Sequence, residues 1–159
     1  MEKIAVKILS VIPMRTMVVF PNTSVAFDVG RGLSLAAVER AEFNDKYVFL
    51  TKQINSEKET PDPDDLCPIG TVAQIRQISR LPGDRVRVYV NALYRACARD
   101  FRTENGYLYA VTEEIVSVHG DPDLEEASFR TAKDLVRDIV AADGKSSKEL
   151  DNALTGVCV

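Results

Sequence analysis

Ile78-Ser79-Arg80-Leu81-Pro82-Gly83-Asp84-Arg85-Val86-Arg87-Val88-Tyr89-Val90 reads as an antiparallel hairpin. Pro82 presets the φ of the first central turn position, and Gly83 accepts the positive φ that a type II turn requires at the second. Beyond the turn, Val86, Val88 and Val90 alternate with Arg85, Arg87 and Tyr89, so one face is apolar and the other solvated. Outward from this point the spacing predicts strands over 69–81 and 85–100. A second turn at Asn105-Gly106 returns the chain through 107–118. Hairpins in succession favour a closed or nearly closed antiparallel barrel.

Upstream, residues 4–12 alternate as a first strand and Ser24–Val29 is a short β-rich run. Gly30 to Gly32 interrupts it, and Ser34 is placed to cap a helix reaching about Phe43. Leu33, Ala37, Val38 and Ala41 form that helix's apolar stripe. Lys46–Gln53 holds the unbroken run Tyr47-Val48-Phe49-Leu50, the pattern of a strand buried on both faces. The loop from Asn55 to Leu66 carries Pro61, Pro63 and five acidic residues, Glu57, Glu59, Asp62, Asp64 and Asp65. It lacks the glycine and terminal glutamate spacing of a calcium loop, so it reads as a solvated excursion.

The pattern changes at His119-Gly120. Asp121 and Asp123 are candidate caps, Pro122 suits a first helical turn, and Asp123 with Glu126 makes a capping box. Phe129, Ala132, Leu135, Val136, Ile139 and Val140 follow at helical spacing to about Ala142. Asp143-Gly144 stops this helix and Ser147 is placed to start another. The division expected is a β-rich unit over 1–119 and a helical unit over 120–159, the second reading as the beginning of a larger helical region.

A net charge of −4 argues against general affinity for nucleic-acid phosphates, even though Arg76, Arg80, Arg85, Arg87, Arg95 and Arg99 share one region. Those arginines read as the solvent side of strands. Three cysteines, at 67, 97 and 158, make an odd set without close pairing, which suits a reducing cytoplasm. Lys7 interrupts the apolar run that a signal peptide needs, and no stretch approaches the ~18 apolar residues of a membrane span.

The residues offer little for catalysis. His119 is the one histidine, set beside a glycine in a linker. Cys67 and Cys97 have no CxxC partner and read as small buried apolar residues. Gly144-Lys145-Ser146 imitates the end of a phosphate-binding loop, but position 139 is isoleucine within a helix where that motif needs glycine. Glu113-Glu114 would point to opposite faces of a strand, and Glu125-Glu126 answer to a helix dipole. No catalytic, cofactor-binding or metal-ligating residue is therefore expected. What remains is recognition. Met14, Met17, Phe20 and Pro21 cluster in a segment too apolar for ordinary strand alternation, and Ile78, Leu81 and Pro82 lie at or near a hairpin tip. Such residues either cap the core or form an exposed patch suited to peptide contact. Met14, Phe20, Pro21, Val25, Ile78, Leu81 and Pro82 are the candidate contacts.

Ile12-Pro13-Met14-Arg15, Val19-Phe20-Pro21, Asp28-Val29-Gly30-Arg31, Ile69-Gly70-Thr71-Val72-Ala73, Leu81-Pro82-Gly83 and Asn91-Ala92-Leu93-Tyr94-Arg95-Ala96 follow one another in the order found in the amino-terminal domain of Lon proteases, which this chain resembles over roughly residues 8–100. The resemblance implies an α+β fold: a mostly antiparallel, six-stranded, PUA-like pseudo-barrel with one inserted helix, followed by the start of a helical bundle. It implies a non-catalytic part that recognises exposed hydrophobic segments of unfolded or damaged proteins and aids assembly. The parent would be a cytoplasmic, homo-hexameric serine protease using ATP and Mg in modules absent here. Two other readings are a stand-alone adaptor and a nucleic-acid-binding PUA-like module.

Overall fold

The computed structural model describes residues 6–30 and 32–142. The chain divides into two units, Met1–Val116 and Ser117–Val159. The first holds β1 (Val6–Met14), β2 (Ser24–Val29), α1 (Gly32–Phe43), β3 (Tyr47–Gln53), β4 (Leu66–Leu81), β5 (Arg85–Glu104) and β6 (Tyr107–Glu114). Its strands form one six-stranded sheet in the order β2-β5-β4-β3-β1-β6, and β6 also pairs with β5. That second pairing closes β1, β3, β4, β5 and β6 into a ring, with β2 attached outside it along the first half of β5. All pairs are antiparallel except β1 with β3, which α1 separates in sequence as a parallel crossover requires. The mostly antiparallel six-stranded barrel with an inserted helix is as expected.

Turn chemistry fixes the two hairpins. Gly83 has a φ of +76° and Asp84 follows at +52°, so the loop between the paired residues Leu81 and Arg85 spends two left-handed residues. Asn105 and Gly106, at +51° and +79°, make the two-residue turn whose twist matches the flanking strands. Gly70 answers to space instead: a Cβ there would overlap the Leu50 carbonyl oxygen and lie 2.7 Å from Phe49 Cζ.

The core has two clusters because β1 and β3 bury both faces. Ile12, Met14, Val48, Leu50, Val88 and Val90 pack beneath Ala37, Val38 and Ala41 of α1. Leu9, Val11, Phe49, Val72, Leu108 and Ala110 fill the other side. Buried threonines tie neighbouring segments together. Thr51 Oγ1 donates to the Cys67 carbonyl at 2.5 Å, Thr71 Oγ1 to the Val19 carbonyl at 2.6 Å, and Thr112 Oγ1 to the Lys7 carbonyl at 3.0 Å.

Several boundaries differ from expectation. β1 continues through Pro13, paired with Thr51, to Met14. Proline keeps its carbonyl and loses only a donor, so a strand tolerates it where the ladder does not need that N–H. Ser34 is not the helix cap; α1 begins at Gly32 and the Ser34 side chain is buried. β4 starts at Leu66 after a 3-10 turn at Pro63–Asp65, and β6 ends at Glu114 instead of Val118.

In the second unit, α2 (Pro122–Ala142) starts with proline in its first turn. Asp121 Oδ1 accepts the Asp123 N–H at 2.9 Å, while Glu125, not Glu126, reaches back to the Gly120 N–H at 2.6 Å. Glu126 instead pairs with Arg130 one turn along. No described residue of α2 is buried, and Leu124, Leu135 and Ile139 are exposed. Ile4, Arg31 and the second helix expected from Ser147 lie outside the described residues.

Candidate functional site

The segment joining β1 to β2 is clamped, not free. The Thr71 hydroxyl holds the Val19 carbonyl, the Asn22 N–H donates to the Ala92 carbonyl at 2.9 Å, and the Ala92 N–H donates to the Thr23 carbonyl at 2.8 Å. Val19 is thereby seated in the core at 6% exposure, and its neighbours are turned outward, Val18 at 54% and Phe20 at 66%. Exposed Leu93 follows Ala92, the residue that anchors the segment to β5. The result is an apolar ridge on a fixed backbone. Thr23 Oγ1 adds a 2.6 Å bond to the Phe20 carbonyl, tightening the turn through Pro21.

The residues just before the ridge line a cleft of about 370 Å³. One wall is Ile12–Met17 and the other is Phe27–Gly30, with Ser34 of α1 between them. The lining is mostly apolar. Among the described residues Arg15 is the cation on it: one guanidinium nitrogen donates to the Lys58 carbonyl at 3.1 Å, while Nε is buried without a partner. Asp28, opposite, is neutralised by Arg87 through bonds of 2.7 and 3.1 Å. The Arg87 guanidinium holds the Asp28 carboxyl below the ordinary carboxylate value, against a smaller desolvation effect.

The candidate contact residues separate into groups. Met14 is 6% exposed and belongs to the core beneath α1. Val25 and Ile78 are half-buried against the same cluster, so they wall the core. Phe20 and half-buried Pro21 form the ridge. Leu81, half-buried, and Pro82, exposed, sit at the β4–β5 turn. Leu81 pairs with Arg85, whereas the ridge is bonded to Ala92. The seven steps along β5 from Arg85 to Ala92 correspond to roughly 23 Å at ~3.3 Å per residue. The structure therefore keeps ridge and hairpin tip apart. Arg15, Val18, Phe27 and Leu93 are additions that the sequence reading did not select. The alternation of Val18 and Phe20 around buried Val19 was the available signal for one of them.

Elsewhere, Arg76, Arg80, Arg85, Arg87, Arg95 and Arg99 are all exposed, as solvent-side residues should be. Arg87 and Arg99 are ion-paired, the latter to Glu113 at 2.5 Å. In the acidic loop Lys58 bridges Asp62 at 2.7 Å and Asp65 at 2.5 Å, which raises the lysine and lowers Asp65 from their ordinary values. Cys67 and Cys97 are half-buried, less enclosed than expected, and both thiols are free. His119 is exposed, 3.4 Å from Glu125. Among the described residues, no three His, Cys, Asp or Glu side chains gather as a metal site, and no helix is long and apolar enough to cross a membrane.

The family model described as the ATP-dependent protease La (LON) substrate-binding domain matches residues 8–155. A Lon protease of Clostridioides difficile (strain 630) is 34% identical over 147 residues, covering 89% of this chain and 19% of that protein. A Lon protease of Clostridium acetobutylicum is 38% identical over 149 residues, covering 94% of this chain and 18% of that protein. The chain thus spans about a fifth of the length of these curated relatives. Two solved structures share the fold. The N-terminal domain of Mycobacterium avium complex Lon protease has a TM-score of 0.75 at 16% identity, covering 95% of this chain and 76% of that one. A Lon N-terminal domain protein from Xanthomonas campestris has a TM-score of 0.58 at 13% identity, covering 80% and 72%.

Proposed function

The chain belongs to the Lon substrate-binding domain family, and from that premise we propose that it captures exposed hydrophobic segments of unfolded or damaged proteins on the Val18–Pro21 ridge. The observation that carries this is the exposure of Phe20, 66%, on a backbone fixed by bonds to Thr71 and Ala92. A large apolar side chain held rigidly in water loses little further entropy on binding and gains from desolvation. A natively folded protein has buried its own apolar segments, so the ridge discriminates by what the client exposes.

In this reading the chain performs no chemistry itself. It serves an ATP-dependent serine protease whose ATP, Mg and peptidase residues belong to other modules, acting in the cytoplasm as a homo-hexamer. A single ridge gives weak affinity, because a short extended segment brings few contacts and bears an ordering cost. Several ridges in one assembly raise the effective concentration of the second contact. Fluorescence anisotropy of labelled unfolded and native forms of one model protein tests the reading. The expected result is binding of the unfolded form alone, weakened about tenfold by Phe20→Ser as burial of one large apolar side chain implies. Equal binding of both forms, or salt-sensitive binding of RNA in place of either, would overturn it.

A further inference from the structure

β2 is the end of the sheet, and among the described strands nothing pairs with its outer edge. The Ala92 N–H bonds to the Thr23 carbonyl, which fixes the phase of the β2–β5 ladder. Antiparallel alternation then turns the peptide groups of Val25, Phe27 and Val29 toward β5 and those of Ser24, Ala26 and Asp28 away from it. β2 pairs with β5 alone among the described strands. Edges of this kind are ordinarily protected by lysine, proline, a bulge or a covering segment. Ser24-Val25-Ala26-Phe27-Asp28-Val29 has none of these residues, its register to β5 is unbroken, and the charge of Asp28 is matched by Arg87.

Across the cleft lies the end of β1. β6 pairs with β1 only from Val6 to Ser10, so along Ile12–Met14 the strand pairing of β1 is with β3. The cleft of about 370 Å³ lies between the end of β1 and β2, with Met17 and Phe27 among its apolar walls. Arg15 presents a buried Nε without an acceptor beside it. A buried donor left in that state is unfavourable, and an incoming carbonyl oxygen would satisfy it.

We propose that this slot takes an extended segment of an unfolded client as an added strand on β2, with alternate apolar side chains entering the cleft and a main-chain carbonyl serving Arg15. The proposal rests on the client-capture reading above and supplies its second contact, since residues 15–17 line the slot and 18–21 form the ridge. Main-chain pairing is tolerant of sequence, which suits a receptor for many clients, and it demands a free extended segment, which a folded protein lacks.

The test uses the whole 159-residue chain and a short labelled peptide of alternating valine and threonine flanked by lysines. Peptide binding should slow exchange of the Ala26 and Asp28 amides about tenfold, since pairing removes them from water. Methylating alternate peptide nitrogens should abolish binding while leaving the side chains intact. Ala26→Pro, which removes only an outward N–H, should weaken binding about tenfold in a variant whose circular dichroism is unchanged. Binding that requires Phe20 but leaves both amides exchanging freely would overturn strand addition and leave the ridge in place. Amide protection that survives Phe20→Ser would support the slot and remove the ridge. Protection that grows with protein concentration in the absence of peptide would assign the edge to a second copy and overturn the proposal.

Discussion

Thr71→Val is the most informative single substitution because it changes one hydrogen bond and almost no volume. Thr71 is 3% exposed and its hydroxyl donates to the Val19 carbonyl at 2.6 Å, while Val19 is 6% exposed. Valine fills the same space, so cavity and overpacking contributions are small. The Val19 carbonyl, however, is left buried without that donor. An unsatisfied buried acceptor costs about 1–3 kcal/mol; a loss of about 1–2 kcal/mol is expected because a segment on the surface can partly relax toward water. Across the barrel unit this corresponds to a fall in Tm of roughly 5–10 °C. Since the same bond fixes the ridge, affinity for an unfolded client should fall as well. Thr112→Val is the control. It removes a comparable bond, to the Lys7 carbonyl, at the β1–β6 pairing, and should destabilise the barrel without altering client affinity at a temperature where both variants are folded. Urea titration followed by tryptophan-free circular dichroism measures stability, and anisotropy measures binding. If Thr71→Val left the urea midpoint unchanged, or if both variants lost binding in proportion to their stability, the clamp argument would be wrong.

Four further outcomes are expected. Gly70→Ala should cost about 1–3 kcal/mol by overpacking; Phe49→Leu should rescue little of it, because the Leu50 carbonyl is backbone and cannot rotate away. Met14→Ala should cost about 2–5 kcal/mol as a core truncation, which equilibrium unfolding checks. The carboxyls of Asp28 and Asp65 titrate below their ordinary value of 3.8 in the folded chain. The unfolded chain then takes up protons first, so the stability these pairs give is complete above about pH 4 and is lost as pH falls through the folded values; Asp28→Asn should flatten part of that decline in urea titrations between pH 6 and pH 2. Asp121→Ala should lower the helicity of the second unit, since the side chain that caps the Asp123 N–H is removed at about 1 kcal/mol.

Much of the barrel could be read from local chemistry. The Pro82-Gly83 and Asn105-Gly106 turns, the alternation from Val86 to Val90 and the continuous run at Tyr47–Leu50 each contain their own explanation, and each appears in the structure as a turn, a half-buried strand or a strand buried on both faces. What local chemistry does not contain is partner choice. β1 pairs in parallel with β3 across an intervening strand and helix, so nothing near Pro13 indicates that Thr51 lies opposite and the strand continues. Met14 illustrates the same limit for the site. Beside Met17 and Phe20 it looked like part of one recognition cluster, but strand geometry sends it beneath α1 while the clamp at Val19 turns Phe20 outward. How far Phe20 lies from Leu81 is likewise set by the register of β5 and not by either local sequence. Ser34 met the local rule for a cap, yet it is buried in a helix that begins two residues earlier.

The central claim is that a clamped, exposed ridge receives unfolded clients. Its most direct test is an amide NMR titration of the labelled chain with one model protein, first unfolded and then native. Perturbations from the unfolded form alone, concentrated at 17–22 and at Leu93, are the predicted result. Perturbations confined to Arg76, Arg80 and Arg85, or identical shifts with the native form, would contradict it.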